Sequence, residues 1–265
     1  MDAGNFQIFN CIGSGKVTGR PKIEHALPQW WQPILQSDWT KSIQNAVNFH
    51  SKVHLSKIYW PDDLAYEGIY YINNSIDLAM DSNHIIYGDG PSSLIVSSSN
   101  NPVFRMINNT GSPTGKEYAS FENLMFQCMN GIQINQDDNS DPVETKQILN
   151  IKIKNCHFYN NGSTGNTAIN LYETFDSVIS ENYIEGFEIG IKLAACDLNT
   201  ISNNRIMKFI KYAILDLSRI NSNGNLQFGS QNLIYHNDIL IYNGPSNSGP
   251  LLKVIHYISL FEIIF

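Results

Sequence analysis

The sequence predicts an all-β protein, a right-handed single-stranded parallel β-helix with a short N-terminal capping helix. Three observations predict this fold. A short apolar frame recurs five times, a second strand-like element follows each copy, and successive copies begin 22 to 33 residues apart.

The recurring frame has a large apolar residue, a second one five positions later, and asparagine between them. Its clearest copies are 179–184 and 201–206, in which four of six residues are identical. Three further copies begin at Phe121, Ile153 and Ile234. We therefore expect the five frames to stack in register as one parallel sheet.

The second element begins with a small residue and alternates apolar with non-apolar positions. Alternation with a period of two is typical of a strand with one buried face. The fourth element is the exception, because its alternation is incomplete. The five elements are 131–134, 168–171, 190–193, 213–217 and 249–254.

The variable spacing favours a β-helix over other repeat folds. Leucine-rich repeats and propeller blades keep a stricter length, whereas strands in a β-helix stack about 4.8 Å apart and leave their turns free to lengthen. About 200 residues at roughly 25 per coil predict about eight coils. The expected organisation is an extension over 1–36, a capping-helix segment over 37–57 and a β-helix over 58–265, truncated at its C-terminal end.

Asparagine repeats within the frame in two columns. Asn182, Asn204 and Asn237 share one position, while Asn123 and Asn155 stand one position earlier. Stacked amides can hydrogen-bond from coil to coil as a ladder. We expect such a ladder, and surface amides that bind sugar are the alternative.

The segment before the first frame predicts a short amphipathic helix. Asp38 is the expected N-cap, and Trp39, Ile43, Val47 and His50 fall on one face. Such a helix would cover the open end of the first coil, where unpaired strand edges favour aggregation.

The head of the chain resembles the pectate-lyase-like β-helix family of phage tailspikes and bacterial surface-polysaccharide enzymes. Members carry Pro-Glu-Trp-Phe, Asp-Asp-Thr, Ala-Ile-Gln-x-Ala-Ile, Val-Tyr-Phe-Pro and Gly-x-Gly motifs. The counterparts are 28–31, 37–40, 42–47, 58–61 and 88–90. The chain departs from the family at 32–36 and at Ser37, and these motifs carry no catalytic residue across.

The resemblance implies a polysaccharide-binding homotrimer, located on a virion tail or a cell surface as part of a longer protein. No secretory signal opens the chain, and the apolar stretch 251–265 is shorter than a membrane span requires. We read that stretch as a last strand or a truncated end.

Composition excludes several classes of partner. Only 15% of residues are charged and the net charge is -7, which argues against nucleic acid. The four cysteines at 11, 128, 156 and 196 have no paired spacing, so we expect them to be buried reduced thiols. We expect neither a bound metal ion nor a cofactor.

The second elements place polar residues on one outer face. Aligning their terminal apolar residues predicts one column, and residues just beyond it extend the site. The column is Gln133, Asn170, Lys192 and Asp216, and the extension is Tyr172, Glu173, Ser218 and Arg219. Aromatic, amide and charged groups on a shallow face suit a sugar chain.

The expected catalytic residues are Glu173, Asp216 and Lys192, and the expected substrate-binding residues are Asn170, Tyr172, Arg219 and Gln133. Glu173 and Asp216 would lie two coils apart, about 10 Å. An inverting glycosidase needs carboxylates about 6.5–9.5 Å apart and a retaining one about 5 Å. A lyase would need a base such as Lys192 or Arg219. Solvated charges are the alternative for each single residue.

Two other features attract attention. The acidic loop 137–141 offers oxygen ligands but lacks the pattern of a calcium-binding EF-hand, so a solvated loop is favoured. His157 and His236 belong to the strand frame and are expected to be structural.

The sequence thus predicts a carbohydrate-active protein that binds and cleaves a bacterial surface or capsular polysaccharide, as a tailspike-like hydrolase or lyase. The alternative is a non-catalytic glycan-binding adhesin or a structural β-helix fragment. Fold alone does not decide between them.

Overall fold

The computed structural model describes residues 23–31, 38–56, 69–80, 82–108, 118–136, 147–160, 165–217 and 231–240, and the backbone of 252–255. Among these residues, strands dominate and every strand pair is parallel. The helices are α1 over Thr40–Phe49 and two 3-10 turns, Pro28–Trp31 and Gly90–Ser92.

The strands form three seven-stranded parallel sheets, named A, B and C, and one short additional pair. Sheet A contains Lys52–Leu55, His84–Gly88, Ala119–Glu122, Ile151–Lys154, Val178–Ser180, Thr200–Ser202 and Leu233–Tyr235. Sheet B contains Ile69–Ile72, Leu94–Ser97, Met125–Gln127, His157–Tyr159, Tyr183–Glu185, Arg205–Met207 and Asp238–Leu240. Sheet C contains Ile76–Leu78, Pro102–Met106, Asn130–Ile134, Thr167–Tyr172, Ile189–Ala194, Tyr212–Leu217 and Leu252–Ile255. The additional pair is Ile148–Leu149 with Thr174–Phe175.

The chain visits sheets A, B and C in that order seven times, and each strand pairs with its counterpart one visit later. These stacked parallel sheets are compatible with a parallel β-helix, with seven coils in the described part of the chain. The first strand of sheet A, Lys52–Leu55, precedes the expected start of the β-helix at Ile58. The motif at 58–61 lies outside the described residues.

The predicted stacking of the five frames is confirmed. Ile153 is in register with Phe121 and Ile179, and Ile201 with Ile179 and Ile234, all within sheet A. The inward residues of the first four frames are almost completely buried, and Ile234 of the fifth frame is partly buried against them, so the frames build one continuous apolar core. Within it, the Phe126 and Phe158 rings stack with their centroids 4.6 Å apart.

The corner between sheets A and B explains the two asparagine columns. Asn123 and Asn155 have positive φ angles of 57° and 51°, a conformation that asparagine tolerates better than most residues. Asn182, Asn204 and Asn237 occupy the next position in later coils and turn inward. The Asn204 side-chain oxygen accepts hydrogen bonds from the Asn182 backbone and side-chain amides at 3.0 and 2.9 Å.

Asn237 repeats both contacts with Asn204 at the same distances. The expected ladder is therefore confirmed, and burial of Asn182 and Asn204 rules out surface sugar-binding amides at those two positions. A second ladder, which the sequence frame does not predict, joins Asn199 to Asn232 at 3.0 Å, at the corner that leads from sheet C into sheet A.

The N-terminal segment covers the free edge of all three sheets. Ala26 bridges Val53 of sheet A, and the Trp39 backbone N–H donates to Tyr71 of sheet B at 2.7 Å. The Gln44 side chain of α1 both donates to and accepts from the Asp77 backbone of sheet C at 2.8 Å. The expected capping-helix segment thus contacts the first strands of sheets B and C through Trp39 and Gln44, while the first strand of sheet A is covered by Ala26, which lies outside that segment.

The helix begins one residue later than expected. Trp39 is the residue before α1, and no side chain caps the helix there. The Asp38 carboxylate instead accepts hydrogen bonds from the Thr40 backbone N–H and hydroxyl at 2.9 and 2.6 Å. Asp38 therefore orders the first turn from one position further out.

Cys128, Cys156 and Cys196 are free and buried, as expected, while Cys11 lies outside the described residues. Burial raises the pKa of Cys156 and Cys196 to about 12 and raises that of Cys128 as well. No helix in the described part of the chain is long and apolar enough to cross a membrane.

Candidate functional site

The outer face of sheet C carries the predicted polar column. Asn170 is in register with Gln133 on one side and Lys192 on the other, and all three side chains are partly exposed. The column continues toward the first coil through Arg105 and Asp77, whose side chains form an ion pair at 2.7 Å. Five consecutive coils therefore present a polar residue at one position. We call Asp77, Arg105, Gln133, Asn170 and Lys192 the sheet C column.

Asp216 does not belong to this column, so its predicted outward placement is wrong. Lys192 is in register with Leu215, and Asp216 is in register with Leu193 and completely buried. The alignment on terminal apolar residues slipped by one position in this strand, and a one-residue slip moves a side chain to the opposite face. The Asp216 carboxylate accepts a hydrogen bond from the Asn232 side chain at 3.0 Å.

Glu173 also lies away from the solvated face. It occupies the corner after Thr167–Tyr172 with a φ of 44°, and only 3% of its surface is exposed. Its backbone N–H donates to Ala194 and its carbonyl accepts from Ile148, both at 3.0 Å. Directly after this corner, Thr174–Phe175 pairs with Ile148–Leu149 as the additional short parallel pair. The sequence pattern does not reveal this pair.

Tyr172 is likewise buried, with 6% of its surface exposed, so its expected place on an open face is wrong. Ser218 and Arg219 lie outside the described residues, as does the acidic loop 137–141. Of the predicted site residues, the structure thus brings Gln133, Asn170 and Lys192 together at the surface.

The two buried carboxylates, Glu173 and Asp216, influence a neighbouring buried group through their charge. Burial is the largest cause of the raised pKa of Cys196, and the negative charges of Asp216 and Glu173 also raise it. A general acid or base must come within hydrogen-bond reach of its substrate. In this conformation a polymer at the surface cannot meet that condition at either carboxylate.

The remaining candidate sites are a metal centre and the two histidines of the strand frame, His157 and His236. Among the described residues, no three His, Cys, Asp or Glu side chains lie close enough together to hold a metal ion. His157 lies on the outer face of sheet B, where its ring is 5.6 Å from that of Tyr183. His236 occupies the left-handed corner position with a φ of 51°. Both positions agree with the expected place of these histidines in the strand frame.

Sequence reasoning missed a cluster on the outer face of sheet A. His54 and Tyr87 are in register on neighbouring strands, His25 lies beside both rings, and Asp89 contacts His54. Alternation within 52–55 and 84–88 could have placed His54 and Tyr87 on the outer face. The approach of His25 depends on the parallel bridge at Ala26, for which the sequence carries no signal.

No protein-family model matches this chain, and no curated protein matches it significantly.

Proposed function

We propose that the chain is a right-handed single-stranded parallel β-helix of the pectate-lyase-like kind, and that it binds a polysaccharide along the outer face of sheet C. Repeated visits to three parallel sheets support a single-stranded helix. Right-handed crossovers between parallel strands are the strong physical preference, which supports the handedness.

The observation that carries the binding proposal is the register of the sheet C column. Four steps of about 4.8 Å give the column a length of roughly 19 Å from Asp77 to Lys192. It offers amides and charged groups at the same spacing from coil to coil. A polymer of hydroxyl-bearing rings can repeat its hydrogen bonds along such a surface.

Binding is better supported than hydrolysis by Glu173 and Asp216, because both carboxylates are buried. Lys192 is the predicted catalytic residue that remains at the surface, and we assign it to substrate binding. The resemblance of the N-terminal motifs supports a bacterial surface polysaccharide as the ligand, and a homotrimer on a virion or cell surface as the assembly.

Affinity electrophoresis against a panel of capsular polysaccharides tests the proposal. At least one polysaccharide should retard the protein, and Lys192→Ala should weaken that interaction at least about tenfold, because one hydrogen bond to a charged group is lost. Lys154→Ala is the matched control, since Lys154 is an outward lysine on sheet A that pairs with Glu181 at 3.1 Å. Equal losses at both positions would contradict the assignment to sheet C.

A further inference from the structure

A short segment near the head of the chain closes the free edge of sheet A. The Ala26 backbone N–H donates to the Lys52 carbonyl at 2.9 Å, and the Ala26 carbonyl accepts from the His54 backbone N–H at 3.0 Å. Ala26 itself is completely buried. We call residues 24–26 the edge strap, because these two hydrogen bonds join the segment to the first strand of sheet A.

The chain is anchored directly after the edge strap. Trp30 and Trp31 of the 3-10 turn are buried, and their rings meet that of Phe49 in α1 edge-on, with centroids 6.4 and 5.2 Å apart. The edge strap can therefore leave the sheet while the turn that follows it stays packed. Leu27, which joins the two, is the expected hinge.

The side chain of His25 holds the edge strap against two rings of sheet A. It lies edge-on to His54 at 5.2 Å and to Tyr87 at 6.0 Å, and its Nδ1 is 3.0 Å from the Tyr87 hydroxyl. The rings of His54 and Tyr87 stack with their centroids 4.5 Å apart. One imidazole of the edge strap thus rests on a ring pair that the first two strands supply.

Groups that carry or gain positive charge approach His25 from two neighbouring segments. The Lys52 ammonium on the first strand lies 5.3 Å from the centre of the Tyr87 ring. His50, between α1 and that strand, accepts from the Lys52 backbone N–H through Nδ1 at 3.1 Å. His54 adds a second imidazole on the strand itself. A proton on His25 would therefore be placed among three such groups.

The carboxylates near the edge strap already contact other side chains. Glu24 accepts from Lys52 at 3.2 Å, and the Asp89 carboxylate lies 2.8 Å from Nε2 of His54. On the third strand, Glu122 is in register with Tyr87 and accepts from Lys152 at 2.9 Å. These contacts limit how far the three carboxylates can offset a positive charge on His25.

The resulting balance makes the docked edge strap sensitive to acid. Burial lowers the pKa of His25, and His54, Lys52 and His50 lower it further, while Glu24 raises it. A released strap therefore binds more protons than a docked one, and acid favours release. The docked state is fully stabilised above the ordinary pKa of 6.5, and this stabilisation is lost as the pH falls through that value toward the lowered one.

We propose that the edge strap is a pH-sensitive latch, in which protonation of His25 releases residues 24–26 and opens the edge of the first strand of sheet A. Release exposes the His54 backbone N–H and the Lys52 carbonyl. An unpaired strand edge is a template for another strand, so the latch controls whether the first coil can accept one. This device is independent of polysaccharide binding along sheet C.

Amide hydrogen exchange of the full chain, followed by NMR at about pH 7.5 and about pH 5, tests the latch. Protection factors corrected for the intrinsic pH dependence of exchange are compared at three amides. Protection of the Ala26 and His54 amides, relative to that of Ile153 in the middle of sheet A, should fall at least about threefold in acid. Unchanged relative protection would overturn the latch.

Replacement of the strap histidine separates its titration from other effects of acid. His25→Gln keeps a side chain that forms hydrogen bonds but cannot gain a proton, so relative protection should be equal at the two pH values. His157→Gln is the matched control, because His157 is a partly exposed histidine whose ring is 5.6 Å from that of Tyr183 on sheet B. This control should keep the wild-type fall. An equal fall in His25→Gln would contradict the latch.

An NMR titration of the imidazole of His25 in the wild-type protein is a second measurement that needs no variant. The latch predicts a midpoint below the ordinary pKa of 6.5, and loss of Ala26 protection over the same pH range. A midpoint at or above that value would overturn the latch even if His25→Gln does not fold.

Discussion

The side-chain amide of Asn182 donates a hydrogen bond to the side-chain oxygen of Asn204, one coil further along, at 2.9 Å. Both residues are almost completely buried. The same oxygen accepts from the Asn182 backbone N–H, and the Asn182 amide also donates to the Ile153 carbonyl. This contact joins consecutive coils through polar groups that water does not reach.

Replacement of Asn204 by alanine should therefore destabilise the protein. The Asn182 backbone N–H would lose its hydrogen-bond acceptor inside the corner. The Asn182 side-chain amide would lose one of its two acceptors and keep the Ile153 carbonyl. An unmet buried donor costs about 1–3 kcal/mol, so we expect the free energy of unfolding to fall by about 2–4 kcal/mol in urea denaturation. Asn203→Gly is the control, because Asn203 is exposed and its φ of 56° suits glycine. Equal losses in the two variants would contradict the ladder.

Gly190 tests the close approach of neighbouring coils. A Cβ atom at this position would lie 2.6 Å from the Ala213 carbonyl oxygen and 2.9 Å from a methyl group of Ile206. Gly190→Ala should lower the free energy of unfolding by about 1–3 kcal/mol, because the added methyl forces the packed backbone to shift. Lys192→Ala, two residues along the same strand and facing outward, should change stability much less. A stabilised Gly190→Ala protein would show that this spacing is wrong.

The buried position of Asp216 predicts a structural effect. In Asp216→Ala the Asn232 side chain loses an acceptor at 3.0 Å inside the core, so we expect unfolding to become easier by about 1–3 kcal/mol. Asp77→Ala is the control, since Asp77 is exposed and its ion pair with Arg105 should contribute at most about 1 kcal/mol. An unchanged melting curve for Asp216→Ala would indicate that the Asp216 carboxylate of the wild-type protein lies in solvent, as the alignment of the second elements within the chain predicts.

The burial of three cysteines predicts that their thiols react slowly with reagents in the folded protein. A thiol reacts as the thiolate, and burial raises the pKa of Cys128, Cys156 and Cys196 while shielding them from reagents. In a Cys11→Ser variant, a maleimide should modify these three thiols only on the timescale of unfolding, and urea should release all three together. Rapid labelling of any one of them in the native protein, followed by mass spectrometry, would contradict its buried position.

The repeat in the sequence was sufficient to predict the strand stacking and the Asn182–Asn204 ladder. Both depend on the frame of apolar residues and asparagine that recurs in five of the seven coils. The placement of Asp216 could not be predicted in the same way, because Leu215 interrupts the alternation on which the alignment relied. The burial of Glu173 depends on the extra strand pair beside it, which is a tertiary feature without a local pattern.

The cluster of His25, His54, Tyr87 and Asp89 on the outer face of sheet A was missed for a related reason. His54 and Tyr87 are 33 residues apart and meet through the register of sheet A, while His25 reaches them through the bridge at Ala26. Each histidine alone reads as an ordinary polar residue on a strand or loop. Their contacts form only when the three segments are brought together.

The most direct test of the central claim is photo-cross-linking from single positions to a polysaccharide that the protein retains. A benzophenone side chain would replace Asn170 on the outer face of sheet C or, as the control, the exposed Gln127 on sheet B. Binding along sheet C predicts covalent attachment of the polymer from position 170 and little from position 127. Attachment from position 127 with none from position 170 would contradict the account and assign the polysaccharide to a different face.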